Sequence, residues 1–270
     1  MKILSLIISL LIIQSCATKP AFPDKEVCFL LYDLNENKFV DKHNENRCKE
    51  RLPAASTFKV ALAVMAFDTK LFKNETSPIY KWNGIVSPIA PWNKDHNPTS
   101  WIRESVVWMS QAMTAQMGME KVKKYLYDFD YGNQDMSAGL KYSWLTPAPF
   151  ISEPMNNSLK ISGFEQVNFL SKLWRAGLKA SPKSQIMTQK IMNHDESPRG
   201  NVLIGKTGSG FFDENYDLRV GWFVGHLESD KSNYIVVLNF TDKQKQPVGT
   251  YGGRVAKEMA LNLLSEKGLW

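Results

Sequence analysis

A serine and a lysine stand three residues apart at the start of an apolar run. The stretch LPAASTFKVALAVMAFD, residues 52–68, places Ser56 and Lys59 where the apolar pattern begins. On a helix, side chains at positions i and i+3 share one face, which brings the hydroxyl and the amine within hydrogen-bond reach. A serine becomes a useful nucleophile when a base takes its proton, and a buried lysine with a lowered pKa is such a base. The pair predicts a nucleophile with its own base.

The same two residues also have an ordinary structural interpretation. A serine commonly caps the N-terminus of a helix, and a lysine can lay its methylene chain along apolar surface while its amine stays in water. A chain of this composition is expected to contain about one S-x-x-K by chance. On this pair alone, the structural interpretation is the better one.

Further short motifs follow in a defined order. S-x-V at residues 105–107 begins another apolar helical pattern, and YGN at residues 131–133 has the composition of a turn. KTGS at residues 206–209 lies in a strand-like segment, where small residues let a ligand approach the backbone. S-x-x-K, a serine-led motif and K-T-G in this order form the motif set of penicillin-recognising serine enzymes.

With these motifs, the sequence resembles the class D (oxacillinase-type) serine β-lactamases. The resemblance rests on PAASTFK, S-x-V, FDYGNQD, GKTGSG and LKIS with the helical pattern after it, and it runs from Cys28 to the C-terminus. STFK together with YGN separates class D from class A, which carries S-D-N and a catalytic glutamate. The resemblance implies hydrolysis of β-lactam antibiotics through a serine acyl-enzyme, and hence antibiotic resistance.

The resemblance also implies a role for each catalytic residue. Ser56 would attack the lactam carbonyl, and Ser105 would relay a proton to the lactam nitrogen. Lys59, carbamylated by carbon dioxide in this family, would be the general base for acylation and deacylation. A neutral amine in an apolar pocket can react with carbon dioxide, which removes the need to bury an ammonium ion. Apart from carbon dioxide or bicarbonate, no cofactor and no metal are expected.

The other residues that the resemblance singles out would bind and enclose the substrate; they are Val107, Tyr131, Asn133, Lys206, Thr207, Gly208 and Ser209. Lys206 and Thr207 would bind the substrate carboxylate. The backbone N–H groups of Ser56 and Ser209 would form the oxyanion hole, and Val107 would keep the carbamate pocket dry. The YGN triplet is interpreted as wall and scaffold, although a plain turn explains it equally well.

Two positions depart from the family pattern. Members commonly carry a tryptophan shortly before LKIS, where it hydrogen-bonds the carbamate, but alignment on LKIS places Pro154 there and Trp144 ten residues earlier. Because proline has no side-chain donor, either another group supports the carbamate or deacylation is impaired. Near the C-terminus, where many members use an arginine for the substrate carboxylate, Thr250 and Arg254 are both candidates.

Composition and charge limit the other functions. The 270-residue chain has 43% hydrophobic and 22% charged residues, as globular proteins do. Its net charge of +6 comes from scattered lysines. The chain has no run of like charges and no nucleic-acid-binding motif, which disfavours nucleic-acid binding. The positive charge fits a small acidic substrate instead. The histidines are isolated from one another and from any cysteine pair, which disfavours a metal site; they are His43, His96, His194 and His226.

The N-terminus has the pattern of an export signal. One lysine precedes an apolar run at residues 3–13, which is too short to span a bilayer. The following IIQSC resembles a bacterial lipoprotein signal with Cys16 as the lipidated residue, although Gln14 fits this pattern imperfectly. We expect residues 1–20 to be a signal peptide and the mature protein to be exported to the bacterial periplasm. Cys16 is then either a lipid anchor or an unmodified cysteine.

Two further cysteines form a candidate disulfide. Cys28 opens the strand-like VCFLLYDL, and Cys48 comes after a turn at NENK. An even pair in an exported protein is typical of a disulfide. Two antiparallel strands would bring the pair together.

The order of elements predicts an α+β fold. A β-hairpin pattern is followed by helical patterns, three strand patterns and a closing helix. We predict an antiparallel sheet flanked by terminal helices and carrying an inserted helical lobe, as in the serine β-lactamase and penicillin-binding transpeptidase-like fold. The domain is expected over residues 24–270, with the sheet lobe at 24–60 and 200–270 and the helical lobe at 61–199. Monomer and homodimer are both open.

Two other functions share the motif set. Penicillin-sensing domains of membrane receptors hold the acyl group, and a tryptophan missing at position 154 would favour such a trap. Receptors need a multi-span membrane part, whereas this chain has one short apolar segment. A peptidoglycan peptidase acts on D-Ala-D-Ala ends, and the chain length and the STFK/YGN combination disfavour it. Both stay as alternatives to the hydrolase.

Overall fold

Strands lie at both ends of the chain and helices in its middle. The computed structural model describes residues 22–147, 157–212, 215–230, 232–246 and 250–270. The strands are β1 (Lys25–Asp33), β2 (Lys38–His43), β3 (Leu52–Pro53), β4 (Lys160–Ile161), β5 (Asn193–Glu196), β6 (Val202–Phe211), β7 (Arg219–Glu228) and β8 (Asn233–Asp242). The α-helices are α1 (Glu45–Lys49), α2 (Phe58–Asp68), α3 (Pro98–Glu104), α4 (Val107–Met117), α5 (Met119–Phe129), α6 (Gly139–Tyr142), α7 (Gly163–Trp174), α8 (Pro182–Ile191) and α9 (Gly252–Glu266). Short 3-10 helices cover Ala55–Thr57 and Ala90–Trp92.

Six strands form one antiparallel sheet in the order β2-β1-β8-β7-β6-β5, and β3 pairs with β4 in a separate two-stranded sheet. The N-terminal hairpin β1-β2 therefore joins the C-terminal strands, which confirms the predicted sheet built from both ends of the chain and the α+β class. Strand β5 lies inside the stretch 61–199 that the sequence assigns to the helical lobe. The chain thus returns to the sheet before residue 200.

Both faces of the sheet are covered, and β7 is buried along nearly its whole length. Val220, Trp222 and Val224 point into a core that α2 and α7 also fill. Phe223 and Leu227, on the opposite face of the same strand, pack in a second core beneath α9. Because successive side chains of a strand point to opposite faces, one apolar run supplies both cores.

Helix α2 lies in the middle of the helical lobe, and every residue from Phe58 to Phe67 is buried. Lys59 is the one charged side chain in that buried run. The sequence predicts a single helical pattern over residues 104–129, but the structure has two helices there, α4 and α5. Gly118, with φ 79°, separates them, because this backbone conformation cannot continue a right-handed helix.

Cys28 and Cys48 form the expected disulfide, with their Cα atoms 5.0 Å apart. The expectation that strand pairing brings them together is wrong, since Cys48 lies on α1 and not on β2. The Asn44 side chain accepts a hydrogen bond from the backbone N–H of Arg47 and so caps the start of α1. The chain therefore turns from β2 into a helix, which packs Cys48 against β1.

Candidate active site

Ser56 lies in the 3-10 helix Ala55–Thr57, which runs directly into α2. The amine of Lys59, one turn along, donates a hydrogen bond to the Ser56 Oγ at 2.9 Å. Lys59 is 0% exposed, so the interpretation in which its amine reaches solvent is wrong. The structure therefore brings the proposed nucleophile and its proposed base into direct contact.

Burial lowers the pKa of the Lys59 amine well below its ordinary value, and the nearby positive charge of Lys206 lowers it further. Such a shift favours the neutral amine, because an apolar surrounding disfavours the ammonium form. A neutral amine has a free lone pair and can accept a proton. The lowered pKa is thus the shift that a lysine needs to act as a general base.

Ser105 and Lys206 form the opposite side of the site. Ser105 ends α3 with a left-handed backbone, φ 58°, and Val107, partly buried against the core, begins α4. The Lys206 Nζ donates to the Ser105 Oγ at 3.0 Å and to the Thr207 carbonyl at 2.8 Å. Burial lowers the pKa of Lys206 to about 7. Ser105 therefore has a proton donor in direct contact.

Strand β6 carries Thr207, Gly208 and Ser209 past the turn that holds Ser56. A Cβ built on Gly208 would lie 3.2 Å from the Thr57 Cγ2, so the strand and the turn are in close contact. Only a glycine allows this approach without displacing a neighbour. The K-T-G segment and the S-x-x-K segment are therefore neighbours in space.

One edge of β6 faces the site. Among the described strands, β5 pairs only with residues 202–205 of β6, which leaves that edge without a strand partner farther along. The Phe211 N–H donates across this edge to the Pro147 carbonyl at 3.2 Å. Since alternate residues of a strand point their N–H groups the same way, the Ser209 N–H faces this edge too. The Ser209 hydroxyl instead accepts from the Gly253 N–H at 2.8 Å, which holds the start of α9.

The YGN triplet ties the helical lobe to β4. The Asn133 amide donates to the Ser158 carbonyl at 2.7 Å and accepts from the Lys160 N–H at 2.9 Å. A Cβ on Gly132 would lie 2.1 Å from the Lys160 carbonyl oxygen, so this position requires glycine. Tyr131 is fully buried and packs edge-on against Phe169. The Asn133 side chain thus links the turn to the segment at residues 158–160, which a turn alone does not require.

Trp144, ten residues before Pro154 in the sequence, lies beside Lys59, so a tryptophan is present at the proposed base although the alignment on LKIS gives that position to Pro154. The centroid of the Trp144 indole lies 4.6 Å from the Lys59 Nζ. The Leu159 N–H donates to the Ser143 carbonyl at 2.8 Å, so the two ends of the intervening segment meet. Pro154 itself lies outside the described residues.

Comparison with known proteins agrees with this geometry. Residues 29–265 match the family model of the penicillin binding protein transpeptidase domain. The β-lactamase OXA-1 from Escherichia coli is 37% identical over 83% of this chain and 79% of its own. A crystal structure of a class D β-lactamase from Bacillus subtilis superposes with a TM-score of 0.78 at 31% identity, covering 92% of this chain and 94% of that one. The chain belongs to the class D serine β-lactamases.

A receptor is also similar to this β-lactamase. The regulatory protein BlaR1 of Bacillus licheniformis is 30% identical over 90% of this chain, which spans 37% of the length of BlaR1. Among the described residues, none of the helices combines the length and the apolar character of a membrane span. In the same part of the chain, no His, Cys, Asp and Glu side chains cluster so as to hold a metal ion.

The two C-terminal candidates for binding the substrate carboxylate differ in their surroundings. The Arg254 side chain of this β-lactamase is 83% exposed and pairs with Glu258 at 3.2 Å. The Thr250 hydroxyl accepts a hydrogen bond from Arg219, whose guanidinium also pairs with Asp242 at 2.7 Å. Arg254 is therefore directed to solvent, while Thr250 is tied to a buried cation that the sequence interpretation missed.

Proposed function

We propose that this β-lactamase hydrolyses β-lactam antibiotics through an acyl-enzyme on Ser56, with carbamylated Lys59 as the general base. The observation that carries the proposal is the buried amine of Lys59, 2.9 Å from the Ser56 hydroxyl, with its pKa lowered by burial. A solvated lysine would be charged at neutral pH and could not take a proton.

The pocket around Lys59 fits carbon dioxide. Carbon dioxide reacts with a neutral amine, and burial lowers the pKa of Lys59 and so favours that form. The buried Nε1 of Trp144, whose ring lies against this amine, has no hydrogen-bond partner among the described residues. An oxygen-bearing group on the Lys59 Nζ would accept that N–H and satisfy it. Lys59 and Trp144 would hold the group, which would supply a negatively charged oxygen as the proton acceptor in place of the amine nitrogen.

In the acylation step, the Ser56 Oγ attacks the lactam carbonyl carbon while its proton passes to the Lys59 side chain. The carbonyl oxygen becomes an oxyanion that the backbone N–H groups of Ser56 and Ser209 bind. The C–N bond of the ring then breaks, and the nitrogen takes the proton of the Ser105 hydroxyl. Lys206, 3.0 Å away, returns a proton to Ser105. The proton that the Lys59 side chain took from Ser56 then replaces the one that Lys206 gave up, so both lysines enter deacylation in their starting protonation states.

Deacylation uses the same residues in reverse. A water molecule gives a proton to the Lys59 side chain and attacks the ester carbonyl, and the oxyanion again binds to the two backbone N–H groups. The ester bond breaks, and the Lys59 side chain returns the water proton to the Ser56 Oγ as the product acid leaves. Lys206 and Thr207, both on β6, would bind the carboxylate that β-lactams carry.

We also propose that residues 1–20 direct export to the periplasm and that Cys16 is a lipid anchor. The disulfide between Cys28 and Cys48 supports an oxidising compartment, since such bonds are rare in the cytosol. Residues 1–20 lie outside the described residues. Cys16→Ser should release the protein from the membrane fraction into the soluble periplasmic fraction.

The receptor alternative loses its main support. It rested on the absence of a tryptophan that could assist deacylation, whereas Trp144 lies against Lys59. The similarity to BlaR1 fits a shared acylation step and does not by itself indicate a slow release. Fast turnover is therefore the favoured outcome of acylation.

The proposal is tested by hydrolysis of benzylpenicillin in carbon-dioxide-free buffer, with and without added bicarbonate. We expect bicarbonate to stimulate the wild type, and Ser56→Ala and Lys59→Ala to be inactive in both buffers. Lys121→Ala, which removes an exposed lysine of α5, serves as the matched control and should behave as wild type. Full activity of Lys59→Ala would exclude Lys59 as the base, and indifference of the wild type to bicarbonate would exclude the carbamate.

A further inference from the structure

We infer that Gln166, in the first turns of α7, is a positioning residue that holds the Ser56 turn in its reactive geometry through the hydroxyl of Thr57. The inference rests on the proposed function, because it concerns the rate at which Ser56 is acylated. Gln166 is not among the site residues that the resemblance singles out, and its side chain bonds Thr57 and not Ser56 or Lys59.

The turn that carries Ser56 needs support from outside. Ala55, directly before the nucleophile, has φ 47°, in the left-handed region that a residue with a side chain rarely adopts. Conformations of this kind persist where the surrounding structure imposes them. Contacts around residues 54–57 therefore determine where the Ser56 Oγ lies.

The Thr57 hydroxyl provides the main contact on one side of the turn. It lies 2.5 Å from the Ala54 carbonyl oxygen and 2.9 Å from the Gln166 Nε2. A hydroxyl has a single proton, and a carbonyl oxygen can only accept one. Thr57 therefore donates to Ala54 and must accept from Gln166, so only a hydrogen-bond donor works at the end of the Gln166 side chain.

This arrangement ties both flanks of Ser56 to α7. Ala54 precedes the turn and Thr57 follows the nucleophile, and one hydroxyl links the two to Gln166. On another side, the turn packs against β6, where a Cβ built on Gly208 would lie 3.4 Å from the Ala55 Cβ. Strand β6 and the Gln166 side chain of α7 thus hold the turn from two directions. Without the hydrogen bond from Gln166, the turn can shift, and the Ser56 Oγ with it, relative to Lys59 and β6.

Helix α7 is itself a firm base for Gln166. Its N-terminus has a capping box, in which the Ser162 hydroxyl accepts from the Glu165 N–H and the Glu165 carboxylate accepts from the Ser162 N–H. The Arg51 guanidinium also binds Glu165 at 2.9 Å. Gln166 follows directly and is 1% exposed. A donor on a capped, buried helix turn moves little, which is what positioning a nucleophile requires.

The first test measures the acylation rate constant by stopped flow with a chromogenic cephalosporin. We expect Gln166→Met and Thr57→Val, which remove the bond but keep the volume, to lower this constant by about 10- to 100-fold, with less than about a threefold change in substrate binding. Thr57→Ser keeps the hydroxyl and should stay within about threefold of wild type. Gln185→Met is the matched control. Gln185, on α8, is equally buried, but its side chain bonds the backbone of Leu178 and Ala180 and not the Ser56 turn.

The second test uses pH to separate positioning from bulk stability. Gln166→Glu places an acceptor against the lone pair of Thr57 while the carboxyl is charged, and restores a donor once it is protonated. Burial raises the pKa of such a carboxyl, so the acylation rate of Gln166→Glu relative to Gln166→Met should rise at least about fivefold as pH falls from about 8 to 5.5. Among neighbouring groups, Tyr131 stays neutral because burial raises its pKa, and Glu165 stays charged beside Arg51.

The outcomes distinguish failure of the proposed function from failure of the inference about Gln166. A wild type that is never acylated would overturn the proposed function. If the wild type is acylated and Gln166→Met is acylated equally fast, the inference alone is overturned. It is also overturned if Gln185→Met lowers the acylation rate constant as much as Gln166→Met does. If Gln166→Met does not fold, as judged by circular dichroism, the contrast between Thr57→Val and Thr57→Ser and the pH response of Gln166→Glu decide in its place.

Discussion

The indole ring of Trp144 covers the amine of Lys59, with 4.6 Å between the ring centroid and Nζ. Both side chains are fully buried. The Trp144 Nε1 has no hydrogen-bond partner among the described residues, and a buried donor without a partner costs stability. The Lys59 amine, whose pKa is lowered, and the unpaired N–H of Trp144 therefore lie in one pocket. An acceptor group formed on that amine would give the Trp144 N–H a hydrogen-bond partner.

Trp144→Phe tests this relationship, because phenylalanine keeps an aromatic ring near Lys59 and removes the N–H. A hydrogen bond to a charged acceptor contributes about 1.5–3 kcal/mol, so the affinity for carbon dioxide should fall by about 10-fold or more. The measurement is the carbamate carbon signal in a titration with ¹³C-bicarbonate, followed by NMR. Trp101→Phe is the control, since Trp101 is as buried but donates to Ser110. Equal affinity in the wild type and Trp144→Phe would contradict the fit.

Lys59→Met should separate activity from stability. We expect hydrolysis to fall by about 10³-fold or more, because the base is lost. The pKa of Lys59 is lowered in the folded state, so folding releases its proton below the ordinary lysine pKa, and the cost grows as pH falls. Methionine removes that cost, which should raise the free energy of unfolding by about 1 kcal/mol and Tm by about 2–4 °C. Thermal unfolding at pH 7 in carbon-dioxide-free buffer checks this; a lowered Tm would contradict it.

The sequence predicts the parts of the fold that local patterns specify. Alternating and helical apolar patterns locate β1, β2, α2, α7, α9 and the strands β6–β8, and their order predicts the sheet. The end of α4 at Gly118 and the start of α1 after Asn44 also have local causes, a positive φ and a side-chain cap. These two boundaries could have been predicted by closer attention to glycine and asparagine.

The missed site residues depend on contacts between distant parts of the chain. Trp144 is the nearest tryptophan before LKIS, but its position against Lys59 follows from a loop whose ends meet at Ser143 and Leu159. Gln166 reaches Thr57 across 109 positions of sequence. Arg219 is likewise placed by its pairing with Asp242. Motif spacing carries no information about such closures, because they arise only when the sheet and the helices pack together.

The disulfide is expected to stabilise the fold without taking part in the reaction. Cys28 and Cys48 are 20 positions apart, and closing a loop of that length in the unfolded chain contributes about 3 kcal/mol. Cys28→Ala/Cys48→Ala should lower the urea midpoint accordingly, whereas the hydrolysis rate of the folded variant should match the wild type. The measurement is the urea midpoint of the wild type before and after its disulfide is reduced with dithiothreitol in the unfolded state. Equal midpoints for the oxidised and the reduced protein would contradict the prediction.

His226 should make the protein sensitive to mild acid. It is 5% exposed and stacked on Trp174, with ring centroids 4.8 Å apart, and burial lowers its pKa from 6.5 to about 4. Between these values the unfolded chain binds a proton that the folded protein does not. The penalty is therefore absent well above pH 6.5 and grows as pH falls toward about 4, lowering the free energy of unfolding by about 3 kcal/mol.

Unfolding of the wild type and His226→Gln at several pH values isolates this effect, because the acid-sensitive carboxylates are common to both proteins. The free energy of unfolding of the variant should change less between pH 6.5 and about 4 than that of the wild type. Parallel pH profiles would contradict the assignment to His226.

The most direct test of the acyl-enzyme mechanism is an intact-mass time course of the mature protein after one addition of benzylpenicillin. We expect an adduct of one penicillin on Ser56 that forms within the first turnovers and clears as hydrolysed product accumulates, with no adduct on Ser56→Ala. A persistent adduct would contradict fast deacylation and favour a penicillin sensor. The absence of any adduct on the wild type, with the penicillin left intact, would contradict the acyl-enzyme on Ser56 and with it the whole mechanism.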